Sequence, residues 1–364
     1  MIPQKNTYQV IGTMSGSSLD GLDIICVSIQ LDPAPVFRII AAETIPYADA
    51  VFNKLQNISV AHQAVDNQTD IWFAEVMAEH IQQFIRHHQI QEIDCVASHG
   101  HTTIHQPSAG ITQQIGCPQT MANLLHVPVI GRFRQSDIDA GGQGAPLVPM
   151  CDALFFAEND ACLNLGGIAN ISYQTEQGRI GFDICGANQI LNYFARLAGH
   201  AYDEDGRMAA SGVVNEQVLA QLNGLPFYEQ APPKSLDNAW VHAAVIQLLR
   251  DAQLSTADAL ATATAHIAQQ IAHVIRKQPG ARPFAQYTLF VTGGGAWNGF
   301  LIESICRTIG VTVHVPDATI VNYKEALAMA LMGVLRIEHK PNFLPSVTGA
   351  DIAVSGGEIA LPIK

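Results

Sequence analysis

The sequence predicts an α/β protein made of two similar units. Three observations carry this. Two β-rich runs joined by a small-residue loop stand near the start of the chain, and a second such hairpin stands in the middle. Helical and strand patterns alternate after each hairpin. A third glycine-rich turn lies late in the chain, between an apolar strand and a helix. With 364 residues, 48% of them hydrophobic and 14% charged, the chain can bury two sizeable cores.

In chain order, Tyr8–Thr13 and Ile24–Leu31 read as strands around the loop M-S-G-S-S-L-D-G-L-D, residues 14–23. Its Gly, Ser and Asp residues offer N–H groups and hydroxyls to an anion and carboxylates to a divalent cation; a plain polar turn is the competing reading. Phe37–Ile45 reads as a third strand. Asp70–Gln89 reads as an amphipathic helix, because Ile71, Phe73, Val76, Met77, Ile81 and Phe84 recur near helical spacing. Strand Ile93–Ser98 leads into S-H-G-H-T-T-I-H. Helix Gln119–Leu125 and strand Val127–Gly131 follow, and residues 132–149 form a Gly- and Pro-punctuated loop holding Arg132, Arg134 and Asp137.

The central stretch, Cys162–Asn188, reads as strand Cys162–Leu165, the pair Gly166-Gly167, strand Ile168–Gln174, and a third strand ending at Asp183. Asp183 reads equally as a catalytic carboxylate at a strand end or as a hairpin cap. Helices are expected over Gln189–Ala198, Val213–Leu222 and from Ser255 or Thr256 to about Lys277, with Leu260, Thr264, Ile267, Ile271, Val274 and Ile275 as a buried stripe. Residues 202–212 read as a polar loop, and Ser235 as an N-cap. Strand Tyr287–Val291, the turn T-G-G-G-A-W-N-G and helix Phe300–Thr308 give the layout of a nucleotide-binding turn, although neither a Walker A loop nor a dinucleotide fingerprint is present. Strand Val311–Val315, helix Tyr323–Ile337 and a C-terminal loop complete the chain.

Composition excludes some partners. The net charge is −13, with 19 Lys+Arg against 32 Asp+Glu, which disfavours a nucleic acid. Seven scattered cysteines without C-x-x-C read as reduced, mainly buried thiols of a cytoplasmic protein. No signal-peptide core and no apolar run of spanning length is read, so no membrane partner is expected. His99, His101 and His105 would share one face of an extended segment. Hydrogen bonding is favoured there over metal, since no nearby Cys or second carboxylate completes a site.

The chain resembles the anhydro-N-acetylmuramic acid kinase family over nearly its whole length. The segments that carry this are M-S-G-S-S-L-D-G-L-D, S-H-G-H-T, F-R-Q-S-D-I-D-A-G-G-Q-G-A-P-L-V-P, L-N-L-G-G-I-A-N-I, Y-D-E-D-G, P-P-K-S, V-T-G-G-G-A-W-N, E-A-L-A-M-A and L-P-S-V-T-G-A. The resemblance implies an actin-like ATPase of two ribonuclease H-like domains with mixed sheets and an interdomain cleft, expected over residues 1–160 and 161–364, with helix 323–337 near the domain junction. It implies a kinase that uses ATP, Mg²⁺ and water to open the ring of 1,6-anhydro-N-acetylmuramic acid and phosphorylate O6, in cell-wall recycling. The implied base is Asp183. The implied ATP site comprises Gly16, Ser17, Ser18, Leu19, Asp20, Gly21, Leu22, Asp23, Gly166, Gly167, Asn170, Gly293, Gly294, Gly295 and Asn298, with Asp20 also on the metal. The implied sugar site comprises His99, Arg134, Asn188 and Glu325. The family usually reads F-D-T-G-P-G-N around the base; this chain reads F-D-I-C-G-A-N, so the turn that aims Asp183 is expected to differ. A non-catalytic ATP-binding regulator, a metal-dependent hydrolase using His99, His101 and His105, and a homodimer stay open as alternatives at this point.

Overall fold

The computed structural model describes residues 2–16, 19–61, 63–232, 234–278 and 286–363. These group into two compact units. The first comprises 1–155 with 323–364, and the second 156–322.

The first unit grows from the opening hairpin. β1 (Tyr8–Ser15) and β2 (Gly21–Gln30) pair antiparallel, and β3 (Val36–Pro46) adds antiparallel to β2. β4 (Cys95–Ser98) lies parallel to β1. A small separate hairpin, β5 (His101–Gln106) with β6 (Ile111–Ile115), leads by helix Pro118–Leu125 to β7 (Val129–Gly131), parallel to β4. A sixth strand, Glu358–Ala360, closes the edge antiparallel to β7. Helix Asn67–His87 starts at Asp66, whose side chain accepts the Thr69 N–H, and buries Phe73, Met77, Ile81 and Phe84 at intervals of three and four. Each such side chain contributes roughly 1.5–3 kcal/mol when fully buried.

The second unit repeats the plan. β8 (Ala161–Leu165), β9 (Ile168–Thr175) and β10 (Gly178–Gly186) form an antiparallel meander, and β11 (Thr288–Thr292) and β12 (Thr312–His314) add in parallel beyond β8. The order β3-β2-β1-β4-β7 in the first sheet thus matches β10-β9-β8-β11-β12 in the second. In each, the second strand runs against its neighbours. This is the duplicated α/β plan expected from the two hairpins, in the ribonuclease H-like form that the family resemblance implies. Helix Thr256–Arg276, capped by Ser255 on the Asp258 N–H, buries Leu260, Thr264, Ile267, Ile271 and Ile275 in the second core, with Val274 partly buried.

Several expectations change. The tail from Tyr323 groups with the first unit, not the second. The reason is packing: a Cβ on Gly12 of β1 would lie 2.0 Å from the Ala326 carbonyl oxygen, and one on Gly333 would lie 2.6 Å from Ala97 Cβ of β4. Helix Ala318–Ile337 is long and apolar enough to span a membrane, contrary to the expectation of no such run, but 72% of its apolar window is buried, as in a core helix. Residues 132–149 are not one loop; they hold helices Phe133–Asp139 and the start of Val148–Phe155. The polar stretch 202–212 contains helix Arg207–Ser211, and the expected 213 start moves to Glu216, capped by Asn215. Ser235 caps nothing among the described residues; Asp237 caps helix Asn238–Trp240 by accepting the Trp240 N–H. Helix Asp49–Ala61 and β6 were not anticipated.

Candidate active site

In the first unit, the turn after β1 holds Gly16, whose carbonyl accepts the Leu19 N–H. Leu19 adopts a positive φ of 58° and tucks its side chain into the core, leaving Asp20 exposed. Gly21 is needed by close approach, since a Cβ there would sit 2.5 Å from the Ile45 carbonyl oxygen of β3. Leu22 is buried in the core. Asp23 points from β2 and accepts the Thr44 hydroxyl at 2.6 Å, which leaves Thr44 Oγ1 to accept from the Tyr323 hydroxyl at 3.3 Å. Burial pushes the Asp23 carboxyl up to about 6; the Thr44 bond opposes this, while the charges of Asp20 and Glu325 add to it. Ser17 and Ser18 lie outside the described residues.

The strand end after β4 holds His99. Its Nδ1 donates to the Gly100 carbonyl at 3.0 Å, which leaves Nε2 as a lone pair for the Arg134 Nε–H at 3.0 Å. Burial and the neighbouring Arg134 push His99 down to about 3, so the ring is neutral and keeps that role. Arg134 also donates to the Gly144 carbonyl at 2.7 Å. Burial lowers it to about 10, still a cation at neutral pH, and Glu325 partly offsets the shift. Glu325 is open to solvent along one side yet crowded by protein. That desolvation lifts its carboxyl, against the pull of Arg134 and Lys324. Lys324 is anchored on Asp152 at 2.8 Å with both side chains 5% exposed, which fixes the helix turn that presents Glu325. His99, Arg134 and Glu325 are therefore brought together.

The loop below Arg134 is tied by Asp137. Its carboxylate accepts the Gly144 N–H at 2.7 Å and the Thr348 hydroxyl at 2.8 Å. Gln143 N donates to the Thr348 carbonyl and Asp351 N to that of Ala140, both at 2.9 Å. The A-G-G-Q-G and S-V-T-G-A segments, some two hundred residues apart, are thus one structure.

The histidine set does not form one face. A register shift between Thr102 and Ile104 breaks the alternation of β5. His101 is buried between the Ser15 and Ser59 hydroxyls at 3.2 and 3.0 Å, and His105 Nδ1 meets Thr112 at 3.0 Å. With Arg134 on His99, each ring already has protein partners. Among the described residues the three do not group as metal ligands.

In the second unit, β10 does not end at Asp183 but runs to Gly186, with an irregularity between Asp183 and Cys185. Asp183 stands opposite Asn170 of β9. Its N–H donates to the Lys234 carbonyl at 3.0 Å, and its Oδ2 accepts the Leu236 N–H at 2.9 Å. Burial raises its carboxyl above the usual range, and the Leu236 bond only partly opposes this. Ile184 and Cys185 face the core, fully buried. At Gly186 a Cβ would meet Val241 and Ile190 at 2.6 and 2.9 Å, so the altered turn is packed tightly.

Two of the glycine turns meet here. Asn188 Nδ2 donates to the Leu165 carbonyl at 3.0 Å, and its N–H donates to the Gly166 carbonyl. A Cβ on Gly293, at φ 83°, or on Gly295 would strike the Leu165 backbone at 2.9 and 3.0 Å. Asn298 caps helix Gly299–Ile309 on the Leu301 N–H, and a Cβ on Gly206 of the Y-D-E-D-G segment would touch its Oδ1 at 2.3 Å. Gly167 and Gly294 differ from these. Both are exposed, neither has a positive φ, and a Cβ would meet nothing nearer than Gln189 at 4.0 Å or Asn188 at 3.7 Å. Protein atoms do not demand glycine at either place, whereas close backbone approach of a phosphate or sugar would. The residues present fit a nucleotide. The carboxylates of Asp20, Asp23 and Glu325 also fit a hard divalent cation held partly through water.

Thr44 and the Tyr323 hydroxyl had no signal in the sequence. Asp137, Thr348 and the 234–236 backbone lie in or beside segments that stood out, F-R-Q-S-D-I-D-A-G-G-Q-G-A-P-L-V-P, L-P-S-V-T-G-A and P-P-K-S, but their bonds were not foreseen.

A model of the anhydro-N-acetylmuramic acid kinase family matches residues 8–362. The anhydro-N-acetylmuramic acid kinase of Azorhizobium caulinodans is 34% identical, covering 97% of this chain and 99% of that one. That of Gloeobacter violaceus is 33% identical over 96% and 97%, and that of Chromobacterium violaceum 35% over 93% and 95%. The match runs through both units, both hairpin loops, Arg134, Asp183 and Glu325, and the chain belongs to the anhydro-N-acetylmuramic acid kinase family.

Proposed function

We propose that this chain uses ATP and water to open the 1,6-anhydro ring of 1,6-anhydro-N-acetylmuramic acid and to phosphorylate O6, giving N-acetylmuramic acid 6-phosphate and ADP in peptidoglycan recycling. Asp183 takes a proton from water, whose oxygen bonds to C1. The C1–O6 bond breaks, and O6 bonds to the γ-phosphorus as ADP leaves. The observation that carries this reading is the state of Asp183: a desolvated carboxylate, aimed by the Leu236 N–H, whose raised pKa makes it a stronger base than a free carboxylate.

Arg134 and Glu325 hold the sugar, with His99 fixing the guanidinium and Asn188 near the second loop. The residues that the family resemblance assigns to ATP are Gly16, Ser17, Ser18, Leu19, Asp20, Gly21, Leu22, Asp23, Gly166, Gly167, Asn170, Gly293, Gly294, Gly295 and Asn298. Mg²⁺, held through Asp20, would neutralise charge on the transferring phosphoryl group. The use of ATP and the seven free cysteines support a cytoplasmic location.

The test is ADP release across 1,6-anhydro-N-acetylmuramic acid, N-acetylmuramic acid and ordinary hexosamines. Turnover with the anhydro-sugar alone is expected. Equal turnover with sugars lacking the bridge would refute the reading.

A further inference from the structure

One cluster outside the proposed kinase site has the chemistry of a metal centre. We propose that Glu43, His87 and His88 form a binding site for a transition-metal ion of the zinc class. Glu43 projects from β3, opposite Ile24. His87 is the last residue of helix Asn67–His87, and His88 is its C-cap. A single carboxylate oxygen, Glu43 Oε2, stands 3.0 Å from His87 Nδ1 and 2.9 Å from His88 Nε2. All three donor atoms lie within 4.8 Å of one another. In a tetrahedral site with metal–ligand bonds of about 2.0–2.1 Å, donors stand roughly 3.3 Å apart. The two sides of the triangle that meet at Glu43 Oε2 need to open by only a few tenths of an ångström, and the two ring nitrogens already lie within 4.8 Å of each other.

Both rings are held before any ion arrives. His88 packs on Phe84 at 4.7 Å between centroids, and His87 lies over His88 at 4.7 Å. Little rotamer freedom is left to lose on binding, at least for His88, whose side chain is 28% exposed like that of Glu43. The site sits at a helix C-terminus, where the backbone dipole favours positive charge, on a chain of net charge −13. Two imidazoles and one carboxylate suit Zn²⁺, Ni²⁺ or Cu²⁺ and not Mg²⁺, which prefers oxygen donors. His87 is 65% exposed, so a fourth position is open to water. An ion here would clamp β3 to the end of the helix that packs under the first sheet. None of the three residues belongs to the proposed kinase site.

The test is Zn²⁺ binding to the full chain, cleared of metal with a chelator and free of nucleotide, by competition with a chromophoric chelator. The result expected is about one equivalent per chain with micromolar affinity, a rise in Tm on adding Zn²⁺, and tetrahedral absorption bands with Co²⁺. Glu43→Gln and His88→Asn should each weaken binding about tenfold or more, while His126→Asn, at an exposed histidine elsewhere, should leave it unchanged. Far-ultraviolet circular dichroism and retained ADP release in Glu43→Gln would separate lost binding from lost fold. Binding well below one equivalent, or binding that survives in the Glu43→Gln, His88→Asn double variant, would overturn the assignment.

Discussion

Asp183 and Asp23 carry opposite consequences of burial. As the proposed base, Asp183 would act only when ionised, and its raised pKa would set where that happens. The acid limb of kcat/KM should therefore fall above the ordinary carboxylate value of 3.8, and activity should be lost as pH drops through it. Asp183→Asn keeps the size and removes the acceptor. It should cost roughly 10²–10⁴-fold in kcat with ATP and sugar affinity preserved, checked by steady-state kinetics and by calorimetric binding. Asp23 shows the stability cost of a buried carboxylate. Its folded pKa of about 6 lies above the unfolded value, so its contribution to stability is present in full below pH 4 and is lost as pH rises through 6. Asp23→Asn should flatten that loss and raise Tm at pH 7.5 without nucleotide, while impairing turnover. Unchanged Tm across pH 4–7.5 in both proteins would contradict the burial account.

The glycine turns separate structural from functional demand at the level of single elements. Gly295→Ala presses a methyl group onto Leu165 and should destabilise by about 1–3 kcal/mol in a denaturant melt. Gly294→Ala meets only Asn188 Nδ2, at an ordinary contact distance of 3.7 Å; it should melt like the parent but raise KM for ATP. If both variants melt alike and keep the parent KM, the turn is not a nucleotide seat. Asp137 makes a second element-scale prediction. Thr348→Val removes a hydroxyl from a buried carboxylate and should cost about 1.5–3 kcal/mol. The Gly144 carbonyl that holds Arg134 then loosens, so KM for the sugar should rise more than KM for ATP.

Legibility followed the range of the interactions. β1, β2, β8 and β9 are apolar runs bounded by glycine, and helix Thr256–Arg276 carries its cap and stripe in local sequence, so all were readable. Helix Asp49–Ala61 was not, because only Leu55 among its residues is fully enclosed and its period is faint. Helix Phe133–Asp139 follows Arg132 in a left-handed conformation and has no side-chain cap. Strand Glu358–Ala360 is three residues long and is defined only by its distant partner β7. At the proposed site, residue type and neighbours left Asp183 open between base and cap, and His99, Arg134 and Glu325 were given their roles by the family resemblance. The Asp137–Thr348 bond links positions 211 apart, which no local pattern records.

At the scale of the whole molecule, one fold plan is used twice, and the two copies carry different residues of the proposed site. The first carries His99, Arg134 and Glu325; the second carries Asp183 at the corresponding sheet's meander. The account requires that bridge opening and phosphorylation form one event driven by that carboxylate. The direct measurement is a single turnover with excess enzyme, ATP and 1,6-anhydro-N-acetylmuramic acid, following ADP and sugar products together in the parent and in Asp183→Asn. The account predicts that ADP and N-acetylmuramic acid 6-phosphate appear at one rate in the parent, with no free N-acetylmuramic acid, and that both slow together in the variant. Ring-opened sugar without phosphate, or a variant that makes the 6-phosphate at the parent rate, would contradict it.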